Sequence, residues 1–239
     1  MNQQFPSIGT DVRLVPVIEL APVDFARDDR MLPPHPSSDE TWDQYWLASL
    51  ADSGISGLQP IQPRSWHVPL AQLTEAHILE QILRTHCFQD EEESSASEID
   101  PDNLIAFSGG YALYIGDQIM ITPRCCADLA DIEQWHLAAN HRHAARGGIW
   151  IGHPSIAVEF DGTHLIFSEE ENGHPTEWPG ECSVDPLALQ QAIRKAEQDL
   201  LTFFELLLPI VANMSPSGRA VETTEILTAC DSLRLHSVQ

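Results

Sequence analysis

The segment from Ile156 to Ser168 constrains this chain most. Ile156–Phe160 and Thr163–Ser168 are runs rich in aliphatic and aromatic residues, and Asp161-Gly162 stands between them. A two-residue hairpin turn needs positive φ, which Asp-Gly supplies at little cost, so the pattern predicts an antiparallel pair. Tyr111–Ile115 and Gln118–Thr122 repeat it around Gly116-Asp117. Asn103–Phe107 is a further short run expected as a strand, and residues 12–20 form another, with Pro16 confining it to an edge or a break.

Helical periodicity occupies the rest. Ser38 or Asp39 can cap a helix to about Leu50, with Trp42, Trp46 and Leu50 at helical spacing. A second helix is expected from Leu70 to His86, and a third from Asp128 to about His143, carrying Leu129, Ile132 and Trp135 on one side. Asp185-Pro186 joins an N-cap to proline at the first helical position. It opens the longest helix, which Pro209 should kink or end. That helix is expected to bury Leu187, Leu189, Ile193, Leu200, Phe203 and Leu207 in part. A last helix is expected from Val221 to Leu233. The order predicts an α+β fold, a single domain over residues 1–239 with an antiparallel sheet of hairpins, roughly four to six strands, and helices packed on it.

Charge narrows the partners. Thirty-six acidic residues face 12 basic ones, a formal net charge of -24, and Lys195 is the one lysine. Nucleic acids and anionic lipids are bound through Lys and Arg, so neither is an expected partner. Residues 90–102 hold seven acids and no base, among serines, and are expected to be a flexible acidic loop. No basic start followed by an apolar core marks a signal peptide, and the greasiest run, Leu200 to Val211, is too short to span a bilayer. Five scattered cysteines suit reduced thiols, so a cytoplasmic location is expected.

The adjacent cysteines Cys125 and Cys126 lie between the strand ending at Thr122 and the helix expected at Asp128. A helix N-terminus can activate a thiol, although Asp128, Asp131 and Glu133 nearby oppose a thiolate. Zinc-binding cysteines are usually two or more residues apart, so small buried packing residues are the simpler expectation. His136, His141 and His143 follow on the same helix and His153 comes after it, at spacings that fit metal ligation loosely. Histidine and Arg142 near a helix C-terminus are explained by the dipole alone. Ser108-Gly109-Gly110 lacks the lysine and spacing of a phosphate loop and reads as a turn or bulge, and no Gly-x-Ser-x-Gly motif occurs. No catalytic residue, metal or cofactor is therefore expected.

Ile121-Thr-Pro-Arg-Cys-Cys-Ala-Asp-Leu, Trp135, Ile149-Trp-Ile-Gly-His-Pro and Asp161-Gly-Thr-His-Leu-Ile-Phe resemble segments of bacterial immunity proteins of the SUKH-like kind, over roughly residues 104–170. The resemblance implies a partner-binding protein with no active site, which neutralises a toxin by docking on it. The acidity agrees independently, because an acidic face steers association with a basic protein. The expected contacts are Asp90, Glu91, Glu92 and Glu93 in the acidic segment, Glu169, Glu170 and Glu171, and the loop carrying Asp128 and Asp131. The alternative is a thiol- or metal-dependent enzyme using Cys125 or Cys126 with His136 or His153.

Overall fold

The computed structural model describes residues 11–88, 99, 101–169, 182–215 and 218–230, so most of the expected acidic loop lies outside the described residues. In chain order the elements are β1 (Val12–Glu19), α1 (Pro22–Phe25), α2 (Asp39–Asp52), β2 (His67–Pro69), α3 (Ala76–Cys87), β3 (Gly109–Ile115), β4 (Gln118–Ile121), α4 (Ile132–Ala139), β5 (Gly147–Ile149), β6 (Ile156–Phe160), β7 (Leu165–Glu169), β8 (Cys182–Val184), α5 (Pro186–Met214) and α6 (Ala220–Thr228). Helices and two antiparallel sheets give the α+β class expected. Among the described residues no helix is long and apolar enough to cross a membrane.

The described chain divides into two compact units, one of residues 11–17 and 108–199, the other of 18–107 and 200–230. In the first unit β3 lies between β1 and β4, and the second sheet has the order β5-β6-β7-β8. The β3–β4 hairpin turns at Gly116, φ +60°, with Ile115 opposite Gln118. The β6–β7 hairpin pairs Phe160 with Leu165, so its turn is longer than the Asp161-Gly162 turn expected. The cause is Asp161, whose carboxylate accepts hydrogen bonds from the Thr163 and His164 amides at 2.7 Å each. That side-chain turn takes both residues out of the strand.

α4 is shorter than the helix expected over 128–143, because a 3-10 turn at Leu129–Asp131 precedes it and Asn140 ends it. Trp135 on α4 is fully buried, its ring 6.0 Å from Phe167 of β7. Asp185 caps α5, accepting from the Ala188 amide at 2.8 Å, and Pro186 takes the first position as expected. The helix continues through Pro209 to Met214 rather than stopping there. Pro209 removes a hydrogen bond to the carbonyl of Glu205, and both residues lie on the exposed side, where water can serve that carbonyl.

The second unit is built around α2, α3 and the later part of α5. Ser38 caps α2, accepting from the Thr41 amide, and the buried Trp46 donates its indole N–H to the Leu20 carbonyl at 2.8 Å. Trp42 is half-buried, edge-on to Tyr45 at 5.9 Å. Residues 104–107 form no strand; instead the Phe107 amide donates to Leu227 of α6, and its ring meets Phe203 at 6.1 Å. The helix expected over 70–86 begins late, at Ala76, after a 3-10 turn at Leu70–Gln72.

On α5, Leu189, Ile193, Leu200, Phe203 and Leu207 are buried, but Leu187 is 65% exposed, one position off the apolar stripe. Leu189→Ala is therefore expected to cost about 2–5 kcal/mol in urea unfolding, through lost transfer energy and a cavity. Leu187→Ala should stay within about 0.5 kcal/mol of the parent chain.

Candidate functional site

After β4 the chain runs through Thr122 and the buried Pro123 into Arg124, Cys125 and Cys126. Both cysteines are exposed, which corrects the expectation of buried packing residues, whereas Cys182 and Cys230 are buried. Cys126 has φ +67°, a left-handed conformation that side chains other than glycine's adopt at a cost of about 1–3 kcal/mol. In an extended chain neighbouring side chains point to opposite faces. The left-handed residue breaks that alternation, and the two sulfurs lie within 4.8 Å of each other. The neighbouring Cys125 thiol pushes the Cys126 thiol up. α4 begins only at Ile132, after the 3-10 turn at Leu129–Asp131, later in the chain than the start expected at Asp128.

The segment 151–154 closes on this loop. The Arg124 amide donates to the Ile151 carbonyl at 3.2 Å, and the His153 amide donates to the Cys125 carbonyl at 3.0 Å. These bonds make an isolated antiparallel bridge between Cys125 and His153. The Arg124 guanidinium reaches the Pro154 carbonyl at 3.1 Å. Gly152 permits the approach: a Cβ there would lie 2.4 Å from the Cys125 carbonyl oxygen and 2.7 Å from that of Arg124, and its φ is +94°. Trp150 stands edge-on to the His153 ring at 4.3 Å. The result gathers the Cys125 and Cys126 sulfurs and a ring nitrogen of His153 within 4.8 Å of one another, all on exposed residues. Two soft sulfurs and a borderline nitrogen can hold a transition-metal cation, and a thiol beside an imidazole can undergo nucleophilic chemistry.

The other histidines go elsewhere. His136 meets Glu197 of α5 at 2.9 Å, and His141 donates its Nε2–H to the Ala145 carbonyl at 3.0 Å. Arg142 donates to the Ala139 carbonyl at 2.8 Å, stacks on Phe160, and serves the end of α4. Of the enzyme alternative's residues, the structure thus brings together Cys125, Cys126 and His153 and leaves out His136. Gly152 is the residue that sequence reasoning missed, although its place directly before His153-Pro154 was visible.

Among the acidic contact residues, Asp128 and Asp131 form a capping box. The Asp128 carboxylate accepts from the Ala130 amide at 2.7 Å, and the Asp131 carboxylate accepts from the Asp128 amide at 3.2 Å. Asp131 is buried, Asp128 half-buried. Asp90, Glu91, Glu92, Glu93, Glu170 and Glu171 lie outside the described residues; Glu169 ends β7, with its side chain outside them. Comparison with protein families, characterised proteins and solved structures finds no match to this chain.

Burial raises the Asp131 carboxyl to about 7, with the neighbouring Asp128 charge adding to the effect. An acid raised in the folded state holds a proton that the unfolded chain has released, so stability falls as pH climbs from about 4 to about 7. Asp131→Asn keeps an acceptor for the Asp128 amide but cannot ionise. The variant is expected to match the parent chain near pH 4 and to gain on it towards pH 7, with a slope approaching ~1.4 kcal/mol per pH unit. Urea unfolding across that range checks it; a constant difference would show that Asp131 does not titrate in this window.

Proposed function

We propose that this chain is a non-enzymatic, cytoplasmic interaction protein that binds a basic protein partner through its anionic surface. The observation that carries the reading is how the scarce positive charge is used. Arg30 makes a paired contact with Asp52, Arg84 with Glu80, and Arg219 with both Asp102 and Glu222. Arg13, Arg27, Arg64, Arg146 and Lys195 also lie within ion-pair distance of carboxylates of the chain itself. With 36 acids against 12 bases, this pairing still leaves a large acidic surplus. Such a field accelerates encounter with a cationic partner and repels phosphate. Reduced cysteines, all free, agree with a cytoplasmic setting. The resemblance to immunity proteins supports a basic toxin as the partner class, and the acidity makes Asp90–Glu93, Glu169–Glu171 and the loop with Asp128 and Asp131 its proposed contacts.

Affinity capture from cells, followed by calorimetric titration of the captured protein at several salt concentrations, tests the proposal. The partner is expected to be basic, with affinity falling at least about tenfold between low and high salt as steering and contact charges are screened. A neutral or acidic partner, or an affinity indifferent to salt, would contradict it.

A further inference from the structure

We infer that Cys125, Cys126 and His153 form a binding site for a thiophilic transition-metal cation, zinc(II) being the one their donor set fits best. Two sulfurs and one imidazole nitrogen are the ligands that zinc takes in tetrahedral sites, whereas calcium and magnesium require oxygen. With zinc–sulfur bonds of roughly 2.3 Å and zinc–nitrogen bonds of roughly 2.0–2.1 Å, tetrahedral donors stand roughly 3.5–3.8 Å apart. The three donor atoms here are already within 4.8 Å of one another, so about 1 Å of contraction closes the site. That contraction needs side-chain rotation only, because the backbone is set by the Cys125–His153 bridge and the close approach at Gly152.

Adjacent cysteines are poor joint ligands in extended or helical chain, and the left-handed backbone at Cys126 removes that objection. Cys125 and Cys126 are also the two exposed cysteines of the five. On binding, each thiol releases its proton to solvent and forms a metal–sulfur bond, the imidazole contributes a lone pair, and no electron is transferred. Three protein ligands leave a fourth position for water on the exposed side. The site rests on its own donor set and does not depend on the reading proposed for the acidic residues.

Titration of the reduced full-length chain with cobalt(II), a spectroscopic substitute for zinc, tests the inference. One equivalent should produce thiolate-to-cobalt charge-transfer absorption in the near-ultraviolet, and zinc should abolish it. Carboxylates bind cobalt without that absorption, so the abundant acids cannot imitate the result. Cys125→Ser, Cys126→Ser and His153→Gln should each weaken binding at least about tenfold, since even outer residues of metal sites cost that much. Cys87→Ser should leave it unchanged. Alkylation of the native parent chain, mapped by peptide mass spectrometry, requires no variant: zinc should slow modification of Cys125 and Cys126 at least about tenfold. Cobalt bound without thiolate absorption, absorption that survives in the Cys125→Ser, Cys126→Ser double variant, or alkylation unaffected by zinc would each overturn the site.

Discussion

Contact between the backbone at Gly152 and the backbone of Arg124 and Cys125 is the constraint on which the candidate site depends. Backbone groups make the closest part of this junction, and the Arg124 guanidinium and the Cys125 thiol add bonds to the Pro154 and His153 carbonyls. The Arg124 and His153 amides bond carbonyls of the facing segment, and the space between the segments is too small for a Cβ. Buried backbone groups must find partners, so the two segments hold one register once they meet. That register places the His153 ring beside the cysteine pair, and the left-handed turn at Cys126 brings the second sulfur to the same side. A glycine and a strained cysteine therefore do together what neither would do alone.

Charge works on a different scale. The Arg30–Asp52 contact holds the Asp52 carboxyl down to about 2, a local effect of hydrogen bonding to a guanidinium. Exposed pairs such as Lys195–Asp199 add little to stability. Their consequence is instead subtractive: most of the described cations pair with carboxylates of the chain itself, and the acids left over set the long-range field. The capping box of Asp128 and Asp131 shows that not every acid contributes to that field, because Asp131 is buried and holds its proton towards neutral pH.

Much of the fold was legible because its signals are local. The cap at Ser38, the Asp185-Pro186 start of α5 and Gly116 in the β3–β4 turn each act within a few residues. Failures came where a local rule met a stronger competitor. Asp161 bonded two amides and lengthened its turn, α5 ran through Pro209 because the freed carbonyl faces water, and Phe107 paired with Leu227 instead of a strand. The site was legible only in part. Adjacent cysteines and a following His153 were visible, but their meeting spans 28 residues of sequence and relies on a positive φ at a cysteine, which no propensity foretells. The acidic surplus was legible in full, since it needs no geometry.

The most direct measurement is amide hydrogen exchange at Arg124 and His153, in the parent chain and in Gly152→Ala. The account predicts slow exchange at both amides in the parent chain. In the variant it predicts at least about tenfold faster exchange at both, while amides of the β3–β4 hairpin keep their protection. Rapid exchange of these two amides in the parent chain, or protection unchanged by the added methyl group, would contradict the claim that this backbone junction builds the site.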